Sequence, residues 1–167
     1  MIEELATDKE GKLTFTADLP IGFAYYIKET SPAPGFATTD ETQEFTFEYG
    51  GAEKEKISYA FTFEDEPTVI EITKTSLTDG KELEGAKLQV TDESGKVVDS
   101  WTSGKEAHII KELVVGQKYT LTETKPADGF VTAESITFTV KDNAEAQKIE
   151  MKDDVDQGGN LQDGYFW

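Results

Sequence analysis

Hydrophobic and polar residues alternate through most of the chain, as in "KLTFTA" (12–17), "EFTFEY" (44–49), "SYAFTF" (58–63), "KLQVTD" (87–92), "KYTLTE" (118–123) and "SITFTV" (135–140). A period of two is that of a β-strand with one face buried. No stretch sustains the 3.6 period of an amphipathic helix, and Gly, Pro, Asp and Asn interrupt the runs. Short strands separated by turn signals predict an all-β sandwich or barrel.

One segment is written twice. "YYIKETSPAPGF" (25–36) returns 94 residues later as "YTLTETKPADGF" (119–130), with Tyr, Glu, Thr, Pro, Ala, Gly and Phe at the same offsets. The repeat is domain-sized, which predicts tandem domains. Residues 68–154 read as a complete unit with strands in "TVIEITKTS", "KLQVTDESG", "VVDSWTS", "HIIKELV", "KYTLTET", "ESITFTV" and "QKIEMKD". Residues 1–67 read as the later part of a second copy without its opening strands, with strands expected at "LTFTA", "AYYIKE", "EFTFEY" and "ISYAFTF". A sandwich short of strands exposes an apolar face and open edges, so a partner, a second copy or the next domain is expected to cover it. Pro67 marks a strand start, and the polar, Gly-rich residues 155–167 read as a flexible tail.

Composition narrows the function. Hydrophobic residues at 37% support a globular core, and 34 acids against 16 bases give a formal charge of −18, which disfavours nucleic acid and anionic lipid as partners. No apolar run approaches the roughly 20 residues that span a bilayer. The opening "MIEELATDKEGK" lacks the regions of a secretion signal and no wall-sorting motif is read, so a secreted parent is expected to be longer than this chain. With no cysteine, neither disulfides nor thiolate metal sites are available. The lone His108 has no visible triad or zinc partners, Trp101 reads as a packing residue, and "TDESGK" and "TLTDGKE" read as turns rather than calcium loops. No metal or other cofactor is implied.

Alternation places three ionisable groups on inward faces. Glu123 shares the face of Tyr119 and Leu121, Lys74 that of Ile70 and Ile72, and Asp153 that of Ile149 and Met151, while Asp154 points away. If the first and last strands pair, Lys74 and Asp153 are neighbours with Glu123 across the core. Buried charge is costly, so these groups must satisfy one another. Two outcomes are open from the pattern alone: groups that sit partly wet at strand ends or form a buried salt bridge, or a reaction. Desolvation favours neutral amine and neutral acid, and an amine held against a carboxyl can condense with it while a third carboxyl relays the proton.

The same residues carry a resemblance. "ITKTSLTDGKELEGAKLQVTDESGKVVDSWTS", "YTLTETKPADGF", "ITFTV" and "IEMKDD" resemble the Cna B-type (SpaA-like, prealbumin-like) domains of Gram-positive pilins and surface adhesins, across residues 68–154. The resemblance implies tandem immunoglobulin-like or prealbumin-like sandwiches and a self-forming Lys–Asp isopeptide bond. Lys74 is then the nucleophile, Asp153 the electrophile and Glu123 the catalytic proton relay. In residues 1–67 it reaches only Glu29, in the "YYIKET" box, and Asp65, in the acceptor position, as an orphan site whose lysine lies on strands absent from the chain. Lys9, Lys12, Lys28, Lys54 and Lys56 are at the wrong places, so no internal bond is expected there.

The expected function is structural: a non-enzymatic stalk or spacer of an extracellular, cell-wall-attached adhesin or pilin, packed against neighbouring domains of the same protein. Isopeptide formation is a single self-modification. The alternative is a strand-accepting or ligation module, in which a donor from another chain completes residues 1–67.

Overall fold

The structure is a computed structural model that describes residues 3–51 and 57–158. Nine β-strands are present among them: β1 (Ala24–Lys28), β2 (Thr42–Thr46), β3 (Val69–Ser76), β4 (Lys87–Thr91), β5 (Val97–Thr102), β6 (His108–Lys111), β7 (Lys118–Lys125), β8 (Ile136–Thr139) and β9 (Gln147–Asp153). The chain forms two compact units, one of Met1–Lys28 with Thr42–Thr62, the other of Glu29–Glu41 with Phe63–Trp167.

The second unit is a two-sheet sandwich. One sheet has the order β6-β3-β9 and the other β5-β4-β7-β8. Buried positions alternate along β3, β4, β7 and β9, so each sheet turns one apolar face inward. Ile70, Ile72, Leu88, Val90, Tyr119, Leu121, Phe138, Ile149 and Met151 form the core, with Trp101 and Ile136 packed at its margin. β3 pairs antiparallel with β6 and parallel with β9, which puts the first and last strands of the unit side by side.

In the first unit, β1 and β2 form an antiparallel ribbon with Tyr25 opposite Phe45. Half-buried Tyr25, Phe45, Phe47 and Phe61 cluster with the exposed Tyr59, with ring centroids 5.0–6.3 Å apart. Phe15, Phe23, Tyr26 and Tyr49 remain exposed. The strands expected at residues 13–17 and 57–63 do not form, although the Tyr59 hydroxyl donates to Thr46 O and Gln43 Nε2 donates to Thr62 O. The strand in "EFTFEY" also starts earlier and ends earlier than the pattern indicates.

The sandwich explains which strands fail. A tight turn at Asp8 has the form of one at Asp92: Asp8 N donates to Lys12 O as Asp92 N does to Lys96 O, and each Asp Oδ1 accepts two backbone N–H groups at 2.9–3.0 Å. Their sequences are "TDKEGK" and "TDESGK". Residues 13–17 thus stand where β5 stands, and the segment leading to Asp65 stands where β9 stands. β5 pairs only with β4, and β9 only with β3. Among the described residues those two segments join no ladder, whereas β1 and β2 keep each other as β7 and β8 do.

Candidate functional site

Each of three strands delivers one charged side chain to the interior of the second unit. β3 turns Ile70, Ile72 and Lys74 inward, β9 turns Ile149, Met151 and Asp153, and β7 turns Tyr119, Leu121 and Glu123. In the parallel register Lys74 lies beside Met151 and Ser76 beside Asp153, so Lys74 reaches Asp153 diagonally. Glu123 comes from the opposing sheet, where its strand partner is Leu88.

Lys74 Nζ contacts Asp153 Oδ1 and lies 3.0 Å from Glu123 Oε1. The Lys74 side chain is 2% exposed and those of Glu123 and Asp153 are 0% exposed, so water does not screen the cluster. Glu123 is held by a second bond, its Oε2 accepting Ala133 N–H at 2.8 Å. Asp153 Oδ2 has no hydrogen-bond partner and Glu123 Oε1 has only its ion pair with Lys74, so the cluster is incompletely satisfied. Burial pushes the Asp153 carboxyl above its ordinary value; the Lys74 ammonium opposes this shift and the Glu123 carboxylate adds to it.

The first copy's acids also approach one another, within the second unit. Burial raises the Glu29 carboxyl; a hydrogen bond from Thr39 N–H to Glu29 Oε2 at 3.4 Å opposes this, and the Asp65 and Asp142 carboxyls add to it. Asp65 Oδ1 is buried without a hydrogen-bond partner. Lys9 sits on the surface, 3.6 Å from Glu10, and Lys54 and Lys56 lie outside the described residues, as does most of the expected tail.

The remaining candidates are structural. His108 Nε2 lies 2.8 Å from Asp99 Oδ2 and its ring stacks on Trp101 at 4.0 Å, which joins edge strand β5 to edge strand β6. The Asp92 and Asp79 carboxylates accept hydrogen bonds from their own turns, from Ser94 and Lys96 and from Lys81 respectively. Among the described residues no group of three His, Asp or Glu side chains is placed to hold a metal, and no helix is long and apolar enough to cross a membrane. Sequence reading missed the Ala133 and Thr39 amides and the Asp8 turn. The signal was available, because each amide stands ten residues after its glutamate.

The fold and site together define a prealbumin-like β-sandwich with a lysine and two acids buried between its sheets. A family model described as "SpaA: Prealbumin-like fold domain" matches residues 1–60 and 68–155, and the chain belongs to that family. No curated protein sequence matches it. Among solved structures the Bacillus anthracis TIE protein is 28% identical with a TM-score of 0.56, over 82% of this chain and 26% of that one. The major pilin subunit BcpA of Bacillus cereus is 19% identical (TM-score 0.45; 53% of this chain, 31% of that one). The shaft pilin SpaA of Lactobacillus rhamnosus GG is 15% identical (TM-score 0.47; 79% and 64%). The chain thus spans about a quarter of the TIE protein's length.

Proposed function

We propose that the chain is a stalk or spacer segment of a Gram-positive surface adhesin or pilin, stiffened by an isopeptide bond that Lys74 and Asp153 form without an external enzyme. Family membership supports the structural role and the cell-surface, wall-attached location; neighbouring domains of the parent protein are the partners. The observation that carries the bond is the contact of Lys74 with Asp153 beside Glu123, with all three side chains at most 2% exposed.

The chemistry balances within the pocket. The Lys74 ammonium gives a proton to a carboxylate, and the neutral amine attacks Cγ of Asp153. The C–N bond forms, the C–O bond to the protonated oxygen breaks, and water leaves. Glu123 takes the amine proton and returns it to the departing oxygen. The raised Asp153 carboxyl favours the acid form that has such a leaving group. Fixed geometry replaces activation, since oriented groups react at effective concentrations of about 10⁵ M or more. The reaction occurs once per molecule, so the protein is its own substrate and not a turnover enzyme.

Intact-mass spectrometry tests the bond. The purified chain is expected one water lighter than its sequence, and Lys74→Ala is expected at full sequence mass. A wild-type chain at full mass sinks the proposal.

A further inference from the structure

A cavity of about 430 Å³ opens on the first unit, lined by Asp18, Leu19, Pro20, Phe23, Ala24 and Tyr25. Gly22 takes φ +85°, so the chain turns at Ile21 and Gly22 and brings residues 18–20 back against 23–25. The Tyr25 hydroxyl closes this turn by donating to Pro20 O at 2.8 Å. Its ring stacks on Phe45 at 5.7 Å and meets Phe47 at 5.8 Å. Tyr25 is thus held by both ring and hydroxyl before any ligand arrives, and a preformed wall lowers the ordering cost of binding.

The lining has the chemistry of a site for a flat organic cation. Phe23 and Tyr25 carry aromatic rings with negative faces, Asp18 supplies the one formal charge among the six residues, and Leu19, Pro20 and Ala24 form an apolar seat. Phe23 is 62% exposed, so a guest that covers it removes apolar surface from water. The chain's formal charge of −18 attracts cations and repels anions. All 16 of its basic residues are lysines, so a second copy of the chain brings no arginine.

We propose that this cavity binds an arginine side chain in an extended peptide of another protein. A guanidinium is planar and weakly hydrated, so it stacks on an aromatic face while its N–H groups donate to the Asp18 carboxylate. A lysine ammonium is a compact, strongly hydrated point charge and gains less from the same walls. The arginine stem lies along Leu19, Pro20 and Ala24, and the remaining volume takes neighbouring residues of the peptide. Because the cleft is open to solvent, added salt weakens the attraction. The site adds ligand recognition to the stalk reading and is independent of the bond between Lys74 and Asp153.

The test titrates the isotope-labelled full chain at low salt with a terminally blocked peptide, Gly-Gly-Arg-Gly-Gly, and follows backbone amide resonances. The expected result is a saturable shift centred on the amides of Leu19, Phe23, Ala24 and Tyr25. Replacing the peptide's arginine with lysine, or the protein's Phe23→Ala or Asp18→Asn, is expected to weaken binding about threefold or more. Citrulline in place of arginine keeps the shape, removes the charge and is expected to abolish binding. Asp18→Asn conserves side-chain size, and unchanged resonances in β1 and β2 report that each variant keeps its fold. Shifts that do not saturate, equal affinity for the lysine or citrulline peptide, or wild-type affinity in Asp18→Asn would overturn the site.

Discussion

At the residue scale, what matters is that three charges share a pocket from which water is excluded. Removing one member leaves the others uncompensated, which costs about 3–5 kcal/mol for a buried pair. Glu123→Gln keeps the shape and the bond from Ala133 N–H in reach but removes the relay, so bond formation should slow by about 10²-fold or more, read as the growth of the dehydrated mass after refolding. Lys74→Met leaves Asp153 buried with Glu123 and no cation. The Asp153 carboxyl is raised above its ordinary value chiefly by burial, and loss of the lysine removes the main opposing influence. A raised folded-state value makes its stabilising contribution complete below about 3.8 and lost as pH rises through the folded value. Lys74→Met should therefore lose urea stability as pH climbs out of the acid range. A wild type that carries the proposed link has no Asp153 carboxyl to titrate and should not show that loss.

At the scale of elements, the site was legible because strands announce their faces. Lys74, Glu123 and Asp153 each extend an apolar i, i+2 series, and the same alternation located seven strands of the second unit. In the first copy the series around residues 13–17 and 57–63 was equally clear, yet no strands formed there. A strand needs a ladder as well as a face, and periodicity does not report a missing neighbour. The turn at Asp8 escaped for the opposite reason: a polar motif of six residues carries no hydrophobic period. Turn chemistry yields a prediction of its own. Gly129 has φ +85° with open space where a Cβ would go, so Gly129→Ala should cost only the backbone strain, about 1–2 kcal/mol. At Gly35 the added Cβ would stand 2.7 Å from Glu112 O, so Gly35→Ala should cost distinctly more. Urea unfolding in a Lys74→Ala background, where no covalent tie masks the difference, ranks the two.

At the scale of the whole molecule, the position of the proposed link decides how force travels. Tension applied at the two ends of the second unit enters at the start of β3 and leaves at the end of β9, and these strands are adjacent and parallel. Pulled in opposite directions they are loaded in shear, and an unlinked ladder would part and release the intervening chain. An amide between Lys74 and Asp153, 79 residues apart, removes that chain from the load path. At about 3.4 Å per residue the hidden length is roughly 270 Å. The same closed loop restricts the unfolded ensemble by about 4.5 kcal/mol on the chain-entropy estimate, which should also appear as resistance to heat and protease. Single-molecule stretching separates the two forms: Lys74→Ala should show an unfolding event that lengthens the tether by roughly 270 Å more than anything the wild type shows. Equal contour lengths in the two proteins would mean that load runs through hydrogen bonds in both, and a stalk held by a covalent staple would have to be given up.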